Sequence, residues 1–289
     1  VQPGVIFPQT EIGDDPGAVR AYAQASWELG YVHLLAYDHV VGADPVVHQD
    51  WSGAYDVHTT FHEPLVLFGY LAGITSLELV TGIVILPQRQ TVLVAKQAAE
   101  VDLLTGGRFR LGVGIGWNAV EYEALGKDFS NRGVRLVEQV ELLRRLWSEE
   151  SVTYHGDFEH VTGAGIAPLP VQRPIPVWFG GRSAPAYRRI GRLADGWFPL
   201  MTPGSDLDAA LAIIGEAAAG AGRDPRAIGM QGRIAYGAGD LDAIGQENAA
   251  WQTLGASHVS INTMGSGFES VDDHIAAIAR AATVLVDVR

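Results

Sequence analysis

The chain has 289 residues, 20 basic and 33 acidic side chains, a formal net charge of −13 and no cysteine. Zero cysteine excludes disulfide scaffolds, thiolate zinc sites, iron–sulfur clusters and cysteine nucleophiles, and the acidic balance argues against a nucleic-acid partner, whose phosphates need a basic face. With 47% hydrophobic and 18% charged residues, the composition is that of a globular chain with a large core, long enough for one α/β barrel of about 250 residues.

Val1 to Thr10 lacks the basic and apolar stretches of a leader. Apolar runs such as Ile83–Leu86 fall far short of the ~20 residues of a membrane helix. The expectation is a cytoplasmic protein with no membrane contact. Gly4–Phe7 is the first of eight short runs that read as strands; the others are Tyr31–Ala36, Glu78–Leu86, Arg108–Gly116, Pro176–Gly180, Gly196–Leu200, Ile228–Tyr236 and Ser257–Ile261. Most are continuous in Val, Ile, Leu and Gly, the pattern of parallel strands covered on both faces. Helical runs lie between them. Asp15–Leu29 has Pro16 in its first turn and stops before Gly30. Thr91–Leu104 carries Val94, Ala98, Val101 and Leu104 near helical spacing and ends at Gly106-Gly107. Arg132–Trp147 repeats that spacing with Leu136, Val140, Leu143 and Trp147, and Asp206–Ala219 and Val271–Leu285 are rich in alanine.

Eight such strand–helix units predict a single closed (β/α)8 TIM barrel over residues 1–289. Two stretches, at about 42–63 and 148–174, break the rhythm and read as insertions. Barrel sites lie at the C-terminal ends of the strands, so Gly42–Glu63, after the second strand, sits on the site face. It is either a substrate lid, with Trp51 and Tyr55 closing over the ligand, or a packed surface loop or dimer contact.

Asp38-His39 ends the second strand, where barrel chemistry belongs. A carboxylate beside an imidazole can hold and exchange a proton near neutral pH; the alternative is a pair that ties down the loop. Gly114, Gly116 and Ala119 fit G-x-G-x-x-A, but the motif follows the fourth strand, puts Trp117 in the turn and lacks the acidic residue of a dinucleotide fold. Its glycines then mean only that something large approaches the backbone. Trp178-Phe-Gly-Gly-Arg-Ser183 ends a strand in two glycines before Arg182, Ser183 and a helix. That arrangement suits a phosphate, or an ordinary turn with a serine cap. His58 and His62 lack the glutamate of a metalloprotease helix, so no metal is expected. There is no Gly-x-Ser-x-Gly elbow, and Lys96 and Lys127 are the two lysines, which disfavours serine hydrolysis and Schiff-base chemistry. Such a barrel leans on a cofactor.

The run Leu111-Gly-Val-Gly-Ile-Gly-Trp-Asn-Ala-Val-Glu-Tyr-Glu-Ala-Leu-Gly126, with Asn131-Arg-Gly133 and Leu142-Leu-Arg-Arg-Leu-Trp147, resembles the bacterial luciferase-like monooxygenase superfamily. So do Tyr37-Asp-His-Val40, Thr81-Gly-Ile-Val-Ile-Leu-Pro87, Ala95-Lys-Gln-Ala98, Thr105-Gly-Gly-Arg108 and Asp195-Gly-Trp-Phe198, in order from Gly4 to Leu200. Within that superfamily the chain is most similar to the actinobacterial probable coenzyme F420-dependent oxidoreductases.

The resemblance implies a luciferase-like TIM barrel, usually a homodimer, with a flavin or deazaflavin across its mouth and a non-prolyl cis peptide at Gly82-Ile83 behind the ring. It places Asp38 and His39 at the ring and its proton-transfer edge, Gly116, Trp117, Asn118 and Tyr122 on the wall after the fourth strand, and Gly180, Gly181, Arg182 and Ser183 at the phosphate. The implied activity is hydride transfer between F420 and a small organic substrate, with His39 delivering the proton and Asp38 fixing the ring. A basic rim of Arg182, Arg188 and Arg189 would suit the acidic tail of F420. The alternatives are an FMN-dependent monooxygenase using O2 and a reductase partner, and a flavin-binding protein without catalysis. One departure stands out: Trp117 occupies the place of the catalytic glutamate of F420-dependent sugar-phosphate dehydrogenases. Glu121, nearby, is expected to turn to another face of its helix.

Overall fold

The computed structural model describes residues 1–286. Its elements run β1 (Gln2–Ile6), α1 (Pro16–Glu28), β2 (His33–Ala36), α2 (Pro64–Leu71), β3 (Glu78–Thr81), β4 (Val84–Ile85), α3 (Thr91–Thr105), β5 (Phe109–Gly114), α4 (Ala119–Ala124), α5 (Arg132–Ser148), β6 (Val152–His155), β7 (His160–Ala164), β8 (Val177–Gly180), α6 (Ala184–Leu193), β9 (Gly196–Phe198), α7 (Ser205–Gly220), β10 (Gly229–Ala235), α8 (Leu241–Thr253), β11 (His258–Asn262) and α9 (Val271–Leu285). The ring order is β3-β2-β1-β11-β10-β9-β8-β5, closed by pairing of β3 with β5, and every pair in it is parallel. This is the expected eight-stranded barrel.

The physical reason for the unbroken apolar strands is visible in the two faces of each one. Outward residues such as Leu34, Leu79, Leu111 and Val177 join the core beneath the helices, with Phe68, Leu142 and Trp147. Inward residues Ile6, Leu35, Val80, Trp178 and Phe198 form a separate cluster that fills the upper barrel. The lower barrel is polar: His33 and Arg110 are buried there, His33 reaching up to Ser260, which with Gln231 borders the mouth, and Arg110 pairs with Glu78 at 2.9 Å while stacking on Trp178. Gly4 makes room for this layer, since a Cβ there would lie 2.2 Å from the His33 ring.

Three features differ from the sequence expectation. The run Glu78–Leu86 is not one strand: the Gly82–Ile83 peptide, which is cis, separates β3 from β4, and a 3-10 turn at Leu86–Gln88 follows. The stretch before the fifth barrel strand is not all loop, because β6 and β7 pair there as an antiparallel hairpin. Helix α2 lies directly after the first insertion; its sequence is almost wholly apolar, so no amphipathic period marked it. Pro64 starts it, and Glu63 caps it by accepting from Val66 N–H at 2.7 Å.

Candidate active site

The C-terminal ends of β2, β4 and β5 converge on one side of the barrel mouth, and the first insertion folds over them. Three loops supply the chemistry. The first is Tyr37-Asp38-His39, just past the end of β2, where Asp38 and His39 point to different partners. Asp38 is 3% exposed and turns inward, where Oδ2 accepts from Ile85 N–H at 3.0 Å and Oδ1 from Arg89 Nη2 at 2.7 Å. Arg89 also donates to Glu63 at 2.9 Å. Asp38 therefore ties β2 to the turn after β4 and, through Arg89, to the start of α2. Burial pushes the Asp38 carboxyl up, with Arg89 and the Ile85 N–H pulling it back. Burial alone would lower Arg89, but the charges of Asp38 and Glu63 outweigh it and hold the guanidinium above its ordinary value.

His39 points the other way, toward the mouth. Its Nδ1 lies 3.3 Å from Glu121 Oε2. Glu121, expected to face elsewhere, is fully buried at the heart of the site. It accepts from the Val40 N–H and from Gln88 Nε2 at 3.0 Å as well. Burial pushes its carboxyl up, and the hydrogen bonds from His39, Val40 and Gln88 overcome that and leave it below the usual range. The correction has a local cause. Asn118 caps α4, its side chain accepting from Val120 and Glu121 N–H at 3.0 and 3.2 Å. That places Glu121 at the third helical position, from which a side chain reaches back past the cap. The spacing Asn118-x-x-Glu121 carried this signal in the sequence. Against an ionised Glu121, Nδ1 of His39 bears the proton and Nε2 is left for chemistry.

Around His39 stands an aromatic enclosure. Its ring lies 4.8 Å from Phe61, 5.1 Å from Tyr55 and 5.7 Å from Trp117. Trp51 stacks at a tilt 5.6 Å from Trp117 and donates through Nε1 to the Tyr55 carbonyl at 3.1 Å. Gly53 allows this, because a Cβ there would meet both tryptophan rings at 2.5 Å. Trp117 stays 43% exposed, which is ample area to offer a ligand. A cavity of about 350 Å³ opens here, lined by His39, Tyr55, Phe61 and Asn118 among others. Thus the insertion brings Trp51 and Tyr55 to His39 and Trp117.

Other expected residues fall into two groups. Gly82 lines the centre of the mouth, and the Ile83 side chain fills the notch between strands: a Cβ on Gly114 or Gly180 would lie 2.7 or 3.0 Å from it. The large neighbour of the glycine run is therefore Ile83. Gly116 sits at φ +62°, a left-handed turn that favours glycine and that releases Trp117 into the mouth. Tyr122, by contrast, is fully buried, donates to the Ile115 carbonyl at 2.7 Å and packs edge-on against Phe129. It braces the turn and does not face the mouth. Gly180, Gly181, Arg182 and Ser183 lead from β8 into α6, where Ser183 caps Ala186 N–H at 3.4 Å. The first-turn amides of a helix have no partner within it, and with the exposed Arg182 they suit a phosphate. A planar ring against Gly82–Ile83 with a phosphate at this loop therefore fits the residues present. Among the described residues no cluster of three metal-ligating side chains occurs, and no helix is long and apolar enough to cross a membrane.

Comparison with known proteins agrees with this architecture. The model of the luciferase-like monooxygenase family matches residues 4–281. The chain belongs to that family. This luciferase-like chain is 32% identical to an uncharacterized protein of Mycobacterium tuberculosis, over 77% of this chain and 76% of the relative. It is 30% identical to the F420-dependent glucose-6-phosphate dehydrogenase of Segniliparus rotundus, over 74% of this chain and 62% of that one. It is 27% identical to the FMNH2-dependent dimethylsulfone monooxygenase of Pseudomonas putida, over 71% and 57%. Among solved structures, an F420-dependent secondary alcohol dehydrogenase superposes with a TM-score of 0.77 over 99% of both chains at 16% identity, a likeness of fold.

Proposed function

We propose that this chain is an F420-dependent oxidoreductase that transfers a hydride between the deazaflavin and a small organic substrate, with His39 as the proton-transfer residue. The observation that carries the reading is the His39–Glu121 pair at 3.3 Å, set in an aromatic enclosure on the same face of the barrel as Gly82 and Ile83. The named F420-dependent relative, at 30% identity, favours the deazaflavin.

When bound, F420 would supply or accept the hydride. The protein's own residues do the rest. Gly180–Ser183 hold the phosphate, and Gly82 and Ile83 back the ring. With Nδ1 engaged by Glu121, His39 takes up or gives back at Nε2 the proton that accompanies the hydride, and Glu121 fixes the imidazole and stabilises its cationic form while that proton is held, much as a carboxylate does in other His–carboxylate pairs. Trp51, Tyr55 and Trp117 orient the substrate and exclude water. Asp38 acts at one remove, by holding the loop that carries His39.

Fluorescence titration of the purified protein with F420 and FMN, each oxidised and reduced, tests the cofactor. Selective F420 binding supports the reading. Selective FMN binding overturns it in favour of oxygen chemistry with a separate reductase, as the dimethylsulfone monooxygenase relative would suggest. His39→Ala should lower turnover about 10²–10⁴-fold while leaving cofactor affinity nearly unchanged. Undiminished turnover would remove His39 from the mechanism.

A further inference from the structure

We infer that the centre of the barrel mouth holds an oxyanion clasp, formed by Arg233, Tyr37 and Gln231, that takes the carboxylate of an acidic substrate. This rests on the reading of the mouth as the reaction site. A narrow cavity of about 50 Å³ lies there, with Arg233 and Gln231 of β10, Tyr37 after β2 and Ser260 of β11 on its wall and Ile6, Leu35 and Phe198 on its floor.

Three observations converge on it. Arg233 is exposed in the mouth and has no carboxylate within ion-pair distance among the described residues. Arg89, the guanidinium behind the adjacent wall, is by contrast neutralised by Asp38 and Glu63. Beside Arg233, the buried Tyr37 hydroxyl faces only the guanidinium, whose charge and hydrogen bond partly counter the burial that raises its pKa, and its own proton has no acceptor. Gln231 is 3% exposed, donates through Nε2 to Ser260 Oγ at 2.8 Å and leaves Oε1 without a partner. Buried polar atoms are rarely left so.

A carboxylate resolves all three. It takes two N–H donors from Arg233 in the fork geometry that suits it and a third hydrogen bond from the Tyr37 hydroxyl. Turning the Gln231 amide keeps its bond to Ser260, whose hydroxyl then donates to Oε1, and presents Nε2 to the same anion. Ser260 in turn is 2.7 Å from His33 Nε2, which becomes the donor to it. The apolar floor of Ile6, Leu35 and Phe198 keeps water from beneath the carboxylate. The clasp lies on the half of the ring formed by β10, β11, β1 and β2, apart from the Gly180–Ser183 loop after β8. A substrate held there by its carboxylate extends toward Gly82 and His39.

The test uses the full chain without cofactor. Benzoate, benzamide and inorganic phosphate are titrated against thermal stability, and F420 and FMN are titrated separately. Benzoate should stabilise the protein saturably, and its neutral isostere benzamide should not. Arg233→Gln should weaken benzoate at least about tenfold, Arg233→Lys less so, and Tyr37→Phe by a smaller factor. Arg226→Gln, in the exposed turn before β10, should change nothing. The inference falls if Arg233→Gln responds to benzoate as the wild type does, or if benzamide stabilises equally. It falls too if phosphate binds and benzoate does not, or if Arg233→Gln loses cofactor affinity with its benzoate response intact. A benzoate response that depends on Arg233 in a protein that binds neither cofactor would uphold the clasp and overturn the proposed function.

Discussion

Mild acid should destabilise this protein, and the lower barrel says why. His258 is drawn down to about 3 from an ordinary 6.5, chiefly by burial and then by the Arg110 charge. His33, fully buried 5.4 Å from the His258 ring, is lowered well below 6.5 by the same causes in the same order. Neither can take up a proton in the folded state at mild acidity, whereas both can when the chain unfolds. Between pH 6.5 and about 3 the unfolded state therefore binds more protons, and stability present above pH 6.5 drains away as the pH falls. At pH 5, about 1.5 units below the unfolded value and at about 1.36 kcal/mol per unit, His258 alone costs about 2 kcal/mol. His33 adds a contribution of the same sign. Asp38 and Glu78 oppose it, since burial raises both carboxyls, so the clean readout is a difference between variants. Urea unfolding at pH 7, 6 and 5 should show His258→Gln losing about 2 kcal/mol less over that range than the wild type. Equal losses in the two proteins would refute the argument that a neutral, half-buried His258 drives the acid sensitivity.

Arg89→Ala breaks two ion pairs at once and strands a buried Asp38. Chemical denaturation should show a loss of about 3–5 kcal/mol, and a loss below about 1 kcal/mol would mean the clamp is ornamental. Two glycine substitutions should rank in a definite order of melting temperature. Gly112→Ala puts a Cβ 1.9 Å from the Thr81 carbonyl oxygen, which is backbone, whereas Gly114→Ala meets the movable end of Ile83 at 2.7 Å. Gly112→Ala should therefore be the more damaging, with Gly114→Ala costing about 1–3 kcal/mol; the reverse order would contradict the packing account. Trp117→Ala should raise the KM for substrate with little effect on cofactor affinity, because the ring closes the enclosure around His39 and does not touch the Gly82–Ile83 wall. Loss of cofactor affinity instead would place Trp117 at the ring.

The strand–helix rhythm was legible in the sequence because it depends on local period and on apolar runs covered from both sides. So was the place of the chemistry, since the ends of parallel strands define one face: Asp38-His39, the turn through Trp117 and the Gly180–Ser183 loop all lie on it. Short-range pattern could not say which side chains meet. Asp38 and His39 are adjacent, yet one is locked to Arg89 and the other to Glu121, partners that come from distant parts of the chain. Glu121 reaches His39 from α4, and Gln88, in the turn after β4, donates to Glu121. Arg233 and Tyr37 meet only because β10 and β2 flank the β11–β1 pair in a closed ring. Likewise, the interior histidines and Arg110 hide in strands that read as apolar, since the closed barrel gives every second residue an inner wall where polar groups can satisfy one another. Sequence period determined the scaffold; closure of the ring decided which distant residues share a site, because only closure sets the distances between them.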